Sequence, residues 1–271
     1  MSENVLWFQD AQCREVADAG GKGASLASMT QQGLPVPGGF AVPADVLEKS
    51  VDVEKLRGFA RAQDHAAAVR LVEETAIVPP EVIAAYHDLG SGKVAVRSSA
   101  SAEDSEAASY AGQQETYLNV EGDDAVRKAV IDCWASFFSE RALFYRGEKG
   151  SLDDLRMAVV VQRMVDADKA GVAFSIHPVT RRKDRMLIEA VHGLGEAVVS
   201  GEVTPDHYVV DRKGRTKKSE TPHGGVLADD EISRLAALCV DLEQHYGRPQ
   251  DIEWAIYKSD IYLLQSRPVT A

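Results

Sequence analysis

The chain has 271 residues, of which 45% are hydrophobic and 27% charged, with a formal net charge of −12 at pH 7. That length accommodates one large domain or two lobes with an ample core. The acidic balance argues against a general nucleic-acid binder, so an anion site must be built locally from a few Arg, Lys and backbone amides.

No run of about 18 apolar residues is present, so no membrane span is expected. The first ten residues show no basic segment followed by an apolar one, and no secretion signal is read there. Cys13, Cys133 and Cys239 lie far apart without a Cys-x-x-Cys pair, as expected of reduced core thiols in a cytoplasmic protein.

In chain order, Gly20-Gly-Lys-Gly leads into a predicted helix over 24–32 that Gly33 closes. Leu34-Pro-Val-Pro-Gly-Gly-Phe reads as a turn and extended segment. Residues 45–90 read as helical, broken at Pro79-Pro80. Val94 to Ser99 reads as a strand entering a Ser- and Ala-rich loop. Val126, Val130, Cys133, Trp134, Phe137 and Phe138 recur at helical spacing, predicting one helix over 123–146 with a buried face. Strands are predicted over 157–165, 171–176, 186–191 and 208–211. A helix near 229–246 carries Ile232, Leu235, Leu238, Cys239 and Leu242 on one side, and a C-terminal hairpin follows. Helices early and strands late predict an α+β protein of two lobes with a cleft between them.

The hairpin, Asp251 to Thr270, is the most informative stretch. With a three-residue loop at Lys258-Ser259-Asp260, Tyr257 faces Ile261, Glu253 faces Gln265 and Asp251 faces Arg267. One sheet face then carries a carboxylate, an amide oxygen and a guanidinium. Hard oxygens suit Mg²⁺, which takes its remaining ligands from water and substrate phosphates, and the Arg fork fits phosphate oxygens. An amphipathic hairpin with a polar outer face has the same pattern. A two-residue loop would put Glu253 and Gln265 on opposite faces.

Lys22 stands in a glycine run before a helix, where backbone amides and the helix N-terminus favour an anion. It is not a Walker A loop, because Glu15 occupies the first Gly position and Gly23 follows the Lys. The other reading is a flexible turn with an exposed Lys. Arg97 follows three apolar strand residues and precedes small hydroxyl residues, a setting shared by polyphosphate loops and ordinary surface loops. The strand through Val161 turns polar at Gln162. Either it is a core strand, or it offers backbone groups to an adenine edge with Met164 and Val165 as an apolar platform.

Gly193-Leu-Gly195 follows a strand, but the third Gly, Gly201, comes too late for a dinucleotide fingerprint. His192, Glu196, Asp206 and His207 lack metal-ligand spacing and read as a turn with a satisfied polar network. No Cys–His or Ser–His nucleophile motif is present.

Taken in order, Gly20-Gly-Lys-Gly-Ala-Ser-Leu, Gly33-Leu-Pro-Val-Pro-Gly-Gly-Phe, Val96-Arg-Ser-Ser-Ala-Ser-Ala-Glu-Asp, Ala111-Gly-Gln-Gln-Glu-Thr-Tyr-Leu-Asn-Val, Val161-Gln-Arg-Met-Val, Gly193-Leu-Gly-Glu-Ala-Val-Val-Ser-Gly, Pro205-Asp-His-Tyr and Leu264-Gln-Ser-Arg-Pro-Val-Thr form a specific series. The series resembles the ATP-binding domain of the dikinase family: phosphoenolpyruvate synthase, pyruvate phosphate dikinase and rifampicin phosphotransferase. The likeness runs from about Asp10 to the last residue.

The resemblance implies a two-lobed ATP-grasp fold over 1–271, with an N-terminal lobe to about residue 160 and a C-terminal lobe from about 161. ATP and Mg²⁺ would lie in the inter-lobe cleft. It further implies that Lys22 and Arg97 hold phosphates, that Gly112 and Thr116 lie in the loop over the polyphosphate, and that Gln162 and Met164 lie at the adenine pocket. Glu253 and Gln265 would hold Mg²⁺, and Arg267 would touch the transferring phosphate.

Members of this family pass a phosphoryl group to a histidine on a separate domain, within a Thr- and Gly-led Ser-His context. None of the seven histidines here has that context; His223-Gly-Gly is the nearest. The chain also reads as compact over 40–95 and as ending where such a domain ends. A phosphohistidine partner and a small-molecule acceptor are therefore expected outside it, with no nucleic acid and no membrane involved. A stand-alone kinase acting directly on a small molecule and a non-catalytic ATP sensor remain the alternative readings.

Overall fold

A computed structural model describes residues 3–100, 115–148, 151–195, 201 and 203–269. The architecture is α+β and divides into two compact units. The first comprises Met1–Gln32 and Gly38–Met164, the second Gly33–Pro37 and Val165–Ala271.

The first unit is built on a five-stranded antiparallel sheet. Its strands are β1 (Leu6–Trp7), β2 (Gly39–Val42), β3 (Val94–Ser99), β4 (Thr116–Val120) and β5 (Ala158–Arg163), in the order β1-β2-β5-β3-β4. The register pairs Phe40 and Val96 with Val161, and Val42 with Val159, so these side chains share one face. That face is covered by α2 (Val46–Ser50), α3 (Val53–Arg61), α4 (His65–Thr75), α5 (Pro80–Asp88), α6 (Asp123–Ser136) and α7 (Glu140–Glu148). Leu56, Val72, Val130, Trp134 and Phe138 are fully buried there. Each Leu, Val or Phe contributes about 1.5–3 kcal/mol of transfer free energy.

Helix α1 (Val16–Gln31) lies on the opposite face. A Cβ on its Gly23 would stand 3.5 Å from the Ala41 Cβ and 3.6 Å from a Val160 methyl. Gly33, with φ +75°, follows the helix end as the sequence predicts.

Residues 45–90 are helical in four pieces. Asp52 caps α3 through the Lys55 amide and Asp64 caps α4 through the Ala67 amide. Pro80 opens α5 at its first turn.

The single helix expected over 123–146 is instead two. Phe137 to Ser139 form tight i→i+3 bonds, and the Ser139 hydroxyl accepts from the Ala142 amide at 3.4 Å to start α7. The apolar period runs on because Phe138 is buried and Phe137 lies under the Arg146 guanidinium, whose carbon is 3.8 Å from the ring centre. Periodicity alone does not show a turn that keeps both rings in the core. Strands β1, β2 and β4 join β3 and β5, the two strands expected from the sequence, in this unit's sheet. The first two are short, and β4 alternates poorly.

The second unit is a six-stranded antiparallel sheet. It contains β6 (Lys169–Phe174), β7 (Arg185–His192), β8 (Asp206–Asp211), β9 (Thr216–Glu220), β10 (Gln250–Tyr257) and β11 (Asp260–Pro268), ordered β11-β10-β6-β7-β8-β9. Helix α8 (Asp229–Tyr246) buries Ile232, Leu235, Cys239 and Leu242 and ends at Gly247, φ +66°. Leu238, expected on the same side, is half-buried. Ile252, Trp254 and Ile256 point from β10 into this core and are fully buried. Asp251, Glu253 and Ala255 therefore point to the other face. Sheet closure depends on Gly171, where a Cβ would lie 1.9 Å from the Glu189 carbonyl oxygen. Among the described residues no helix is long and apolar enough to cross a membrane.

Candidate functional site

The C-terminal hairpin reaches the expected side-chain arrangement by a different route. Its turn has two residues, Lys258 and Ser259, both left-handed at φ 47° and 72°, so Tyr257 pairs with Asp260 rather than Ile261. Continued unbroken, that register would set Glu253 opposite Leu264 and turn Gln265 to the other face. A bulge between Glu253 and Trp254 absorbs Leu264 as an extra residue. Beyond it Glu253 pairs with Gln265 and Asp251 with Arg267. The three-residue loop was wrong and the pairing it predicted is present, because the bulge supplies the missing shift.

The face carries further polar groups. Its register runs Gln265, Glu253, Val172, Glu189, His207, Glu220 across all six strands. Arg267 Nε donates to Asp251 at 2.9 Å. Burial pushes the Asp251 carboxyl above the usual range; Arg267 pulls it down and Glu253 pushes it up. Burial likewise raises Glu189, against the pull of His207, whose Nδ1 lies 3.0 Å from its carboxylate.

Glu189 escaped the sequence reading. The one available signal was a lone acid in the otherwise apolar run Met186–Val191. Among the described residues no group of three or more His, Cys, Asp or Glu is arranged to hold a metal. The hard donors Glu253 and Gln265, directly opposed on one face, suit a cation that takes few protein ligands and completes its shell with phosphate and water. That describes Mg²⁺.

In the first unit Arg97 on β3 pairs with Thr116 on β4 and with Val160 on β5, and Ala95 pairs with Gln162. Arg97, Thr116 and Gln162 therefore share the sheet face on which α1 lies. Arg97 and Gln162 are buried, and Thr116 is exposed. Thr116 was expected in a loop; it is the first residue of β4. Gly112 lies outside the described residues, as does Glu196. Met164 is half-buried, and its amide donates to Lys93 O within the same unit.

Lys22 is buried, and its Nζ donates to Ser98 O at 2.9 Å. The glycine run was expected to precede a helix and offer its amides to an anion. Helix α1 breaks at Gly20, so the run does open the helical segment that follows, but the Gly21 and Gly23 amides donate to Ala100 O and to the Ser99 hydroxyl. Lys22, Arg97, Thr116, Gln162 and Met164 thus belong to the first unit, and Glu253, Gln265 and Arg267 to the second.

Among the described residues Asp206 belongs to no group arranged to hold a metal. Its carboxylate accepts from the His223, Gly225 and Val226 amides and from Tyr208 Oη, so it is satisfied, but by partners outside the expected cluster; His207 instead faces Glu189. The three cysteines are free and buried. Burial pushes Cys13 and Cys239 up to about 12 and raises Cys133 as well, which disfavours the reactive thiolate in each.

Comparison with known proteins shows the family to which the chain belongs. The profile of the pyruvate phosphate dikinase AMP/ATP-binding domain family matches residues 16–223 and 213–271. A probable phosphoenolpyruvate synthase of Methanothermobacter thermautotrophicus is 42% identical over 322 residues, covering 100% of this chain and 46% of that protein. A probable phosphoenolpyruvate synthase of Archaeoglobus fulgidus is 42% identical over 317 residues, covering 98% of this chain and 41% of its own length. The phosphoenolpyruvate synthase of Pyrococcus furiosus is 36% identical over 356 residues, covering 98% and 44%.

The chain belongs to the pyruvate phosphate dikinase AMP/ATP-binding domain family. It is an ATP-binding domain of the dikinase type, and it spans less than half the length of these relatives. The first alignment is longer than the 271 residues of this chain, so that relative carries extra residues within the matched region.

Proposed function

We propose that this chain is the ATP-binding and ATP-cleaving part of a dikinase-type phosphotransferase with an ATP-grasp fold, working with Mg²⁺. In the full cycle ATP yields AMP and phosphate. A phosphoryl group passes through a histidine on a separate domain to a small-molecule acceptor such as pyruvate or an antibiotic hydroxyl. Lys22 and Arg97 hold phosphates, with Gly112 and Thr116 beside the polyphosphate. Gln162 and Met164 meet the adenine. Glu253 and Gln265 hold Mg²⁺, whose part is to neutralise charge on the phosphate oxygens, and Arg267 touches the transferring phosphate. Such a reaction needs little covalent chemistry from the protein. Fixed cations and a positioned metal supply most of the stabilisation.

The observation that carries this reading is the bulge at Glu253, which keeps Glu253 opposite Gln265 and Asp251 opposite Arg267 despite a two-residue turn. Bulges that re-aim side chains recur beside active sites. Glu253→Gln tests it, because the amide keeps the shape and loses the charge. Mg²⁺-dependent nucleotide affinity should fall at least about tenfold, the scale on which even outer-shell changes act at metal sites. Unfolding should be unchanged. Unaltered Mg²⁺·ATP affinity would remove Glu253 from the metal site.

A further inference from the structure

The end of β3 is fastened to the glycine run of α1 by a fully buried serine. The Ser99 hydroxyl works in both directions: it donates to Ala19 O at 2.8 Å and accepts from the Gly23 amide at 3.2 Å. Around it, the Gly21 amide donates to Ala100 O at 3.0 Å and Lys22 Nζ to Ser98 O at 2.9 Å. Gly20 allows the approach. Its φ is +68°, and a Cβ there would lie 2.1 Å from the Ser99 carbonyl oxygen and 2.3 Å from its hydroxyl. The helix is broken at Gly20 and pinned at that break.

Two consequences follow. Because the Gly21 and Gly23 amides are engaged, anion recognition on this segment falls to the Lys22 side chain. And because Lys22 sits between the pinned residues while Arg97 is two residues before Ser99, the seam fixes where one cation stands relative to the other. A pair of fixed cations distinguishes a chain of phosphates from a single one; a movable pair does so poorly.

We propose that Ser99 is a positioning residue that holds Lys22 in register with Arg97, so that both engage one polyphosphate. The proposal rests on the phosphate-binding roles given above to Lys22 and Arg97. Ser99 itself touches no substrate.

The test is the ratio of affinities of the whole chain for a non-hydrolysable ATP analogue and for AMP, in Ser99→Ala, Ser99→Thr and Lys22→Ala, with thermal unfolding of each. Ser99→Ala should bind the ATP analogue about tenfold more weakly, the worth of one buried hydrogen-bonding group, while AMP affinity stays within about twofold. Ser99→Thr, which keeps the hydroxyl, should restore most of the ratio.

Equal losses for both ligands with a lowered Tm would make Ser99 merely structural and overturn the proposal, as would no loss for either. If Lys22→Ala binds the analogue as tightly as the parent chain, the phosphate role of Lys22 fails and the proposal with it. If Lys22→Ala weakens binding and Ser99→Ala does not, only the positioning role fails. Should Ser99→Ala not fold, Ser99→Cys, a weaker hydrogen-bonding group of similar shape, decides by the same ratio.

Discussion

Replacing Asp206 with alanine should destabilise the second unit by an amount that the hydrogen bonds set. The carboxylate accepts from the His223 amide at 2.7 Å, the Val226 amide at 2.8 Å, the Gly225 amide at 3.0 Å and Tyr208 Oη at 3.3 Å, and Asp206 has no solvent exposure. Val226 N–H is buried, so leaving it unpaired costs about 1–3 kcal/mol. The His223 and Gly225 amides are partly buried and recover part of their loss from water, at roughly 0.5–1 kcal/mol each. Tyr208 Oη keeps the Leu227 amide as a donor at 3.1 Å. The total is about 2–5 kcal/mol. It falls on a segment whose Gly224 and Gly225 already stand at φ 83° and 90°.

The same site has a pH signature. Burial pushes the Asp206 carboxyl up, but the bonds from His223, Val226, Gly225 and Tyr208 outweigh it and hold the group below its ordinary 3.8. A depressed carboxylate contributes stability that is present above the ordinary value and is lost as pH falls through the lowered one. Urea unfolding of the parent chain, Asp206→Ala and Asp206→Asn at neutral pH and below pH ~4 measures both effects. The parent chain should lose more stability on acidification than either variant. A neutral-pH difference within about 0.5 kcal/mol, the range of ordinary surface changes, or identical acid slopes in all three proteins, would refute the reasoning.

Gly171→Ala places a Cβ 1.9 Å from the Glu189 carbonyl oxygen and should force β6 and β7 apart at a cost of about 3 kcal/mol or more. Gly92→Ala, which meets nothing within 4 Å, should leave Tm nearly unchanged and serves as its control in thermal denaturation. Arg97→Ala should weaken triphosphate binding more than adenosine binding in a direct titration. Equal losses for the two ligands would point to general misfolding instead.

Much of the fold could be read from the residues where one physical signal dominates. Helix α8 has an uninterrupted apolar stripe and a glycine stop, and its span, Asp229–Tyr246, is the one expected. Strand β3 is a short apolar run between polar loops and was placed at Val94–Ser99. Where two signals compete, the local pattern failed. The Ser139 cap breaks a helix whose apolar period continues through Phe137 and Phe138. At β4, Thr116 to Val120 take their place from pairing with β3, which no local alternation announces.

The candidate site divides in the same way. Residue types and order pointed to Lys22, Arg97, Glu253, Gln265 and Arg267. The backbone devices that carry them were not legible: the two-residue turn with its compensating bulge at Leu264, and the seam between Gly20 and Ser99. Both depend on partners far away in sequence. The sheet row that adds Glu189 and His207 to Glu253 and Gln265 exists only through the register of β6, β7 and β8.

The most direct test is calorimetric titration of the purified chain with a non-hydrolysable ATP analogue, with and without Mg²⁺. Binding that strengthens with Mg²⁺ and weakens in Glu253→Gln is the predicted result. Absence of binding in both conditions, or binding indifferent to Mg²⁺ and to Glu253, would contradict the assignment of the hairpin face as a metal–nucleotide site.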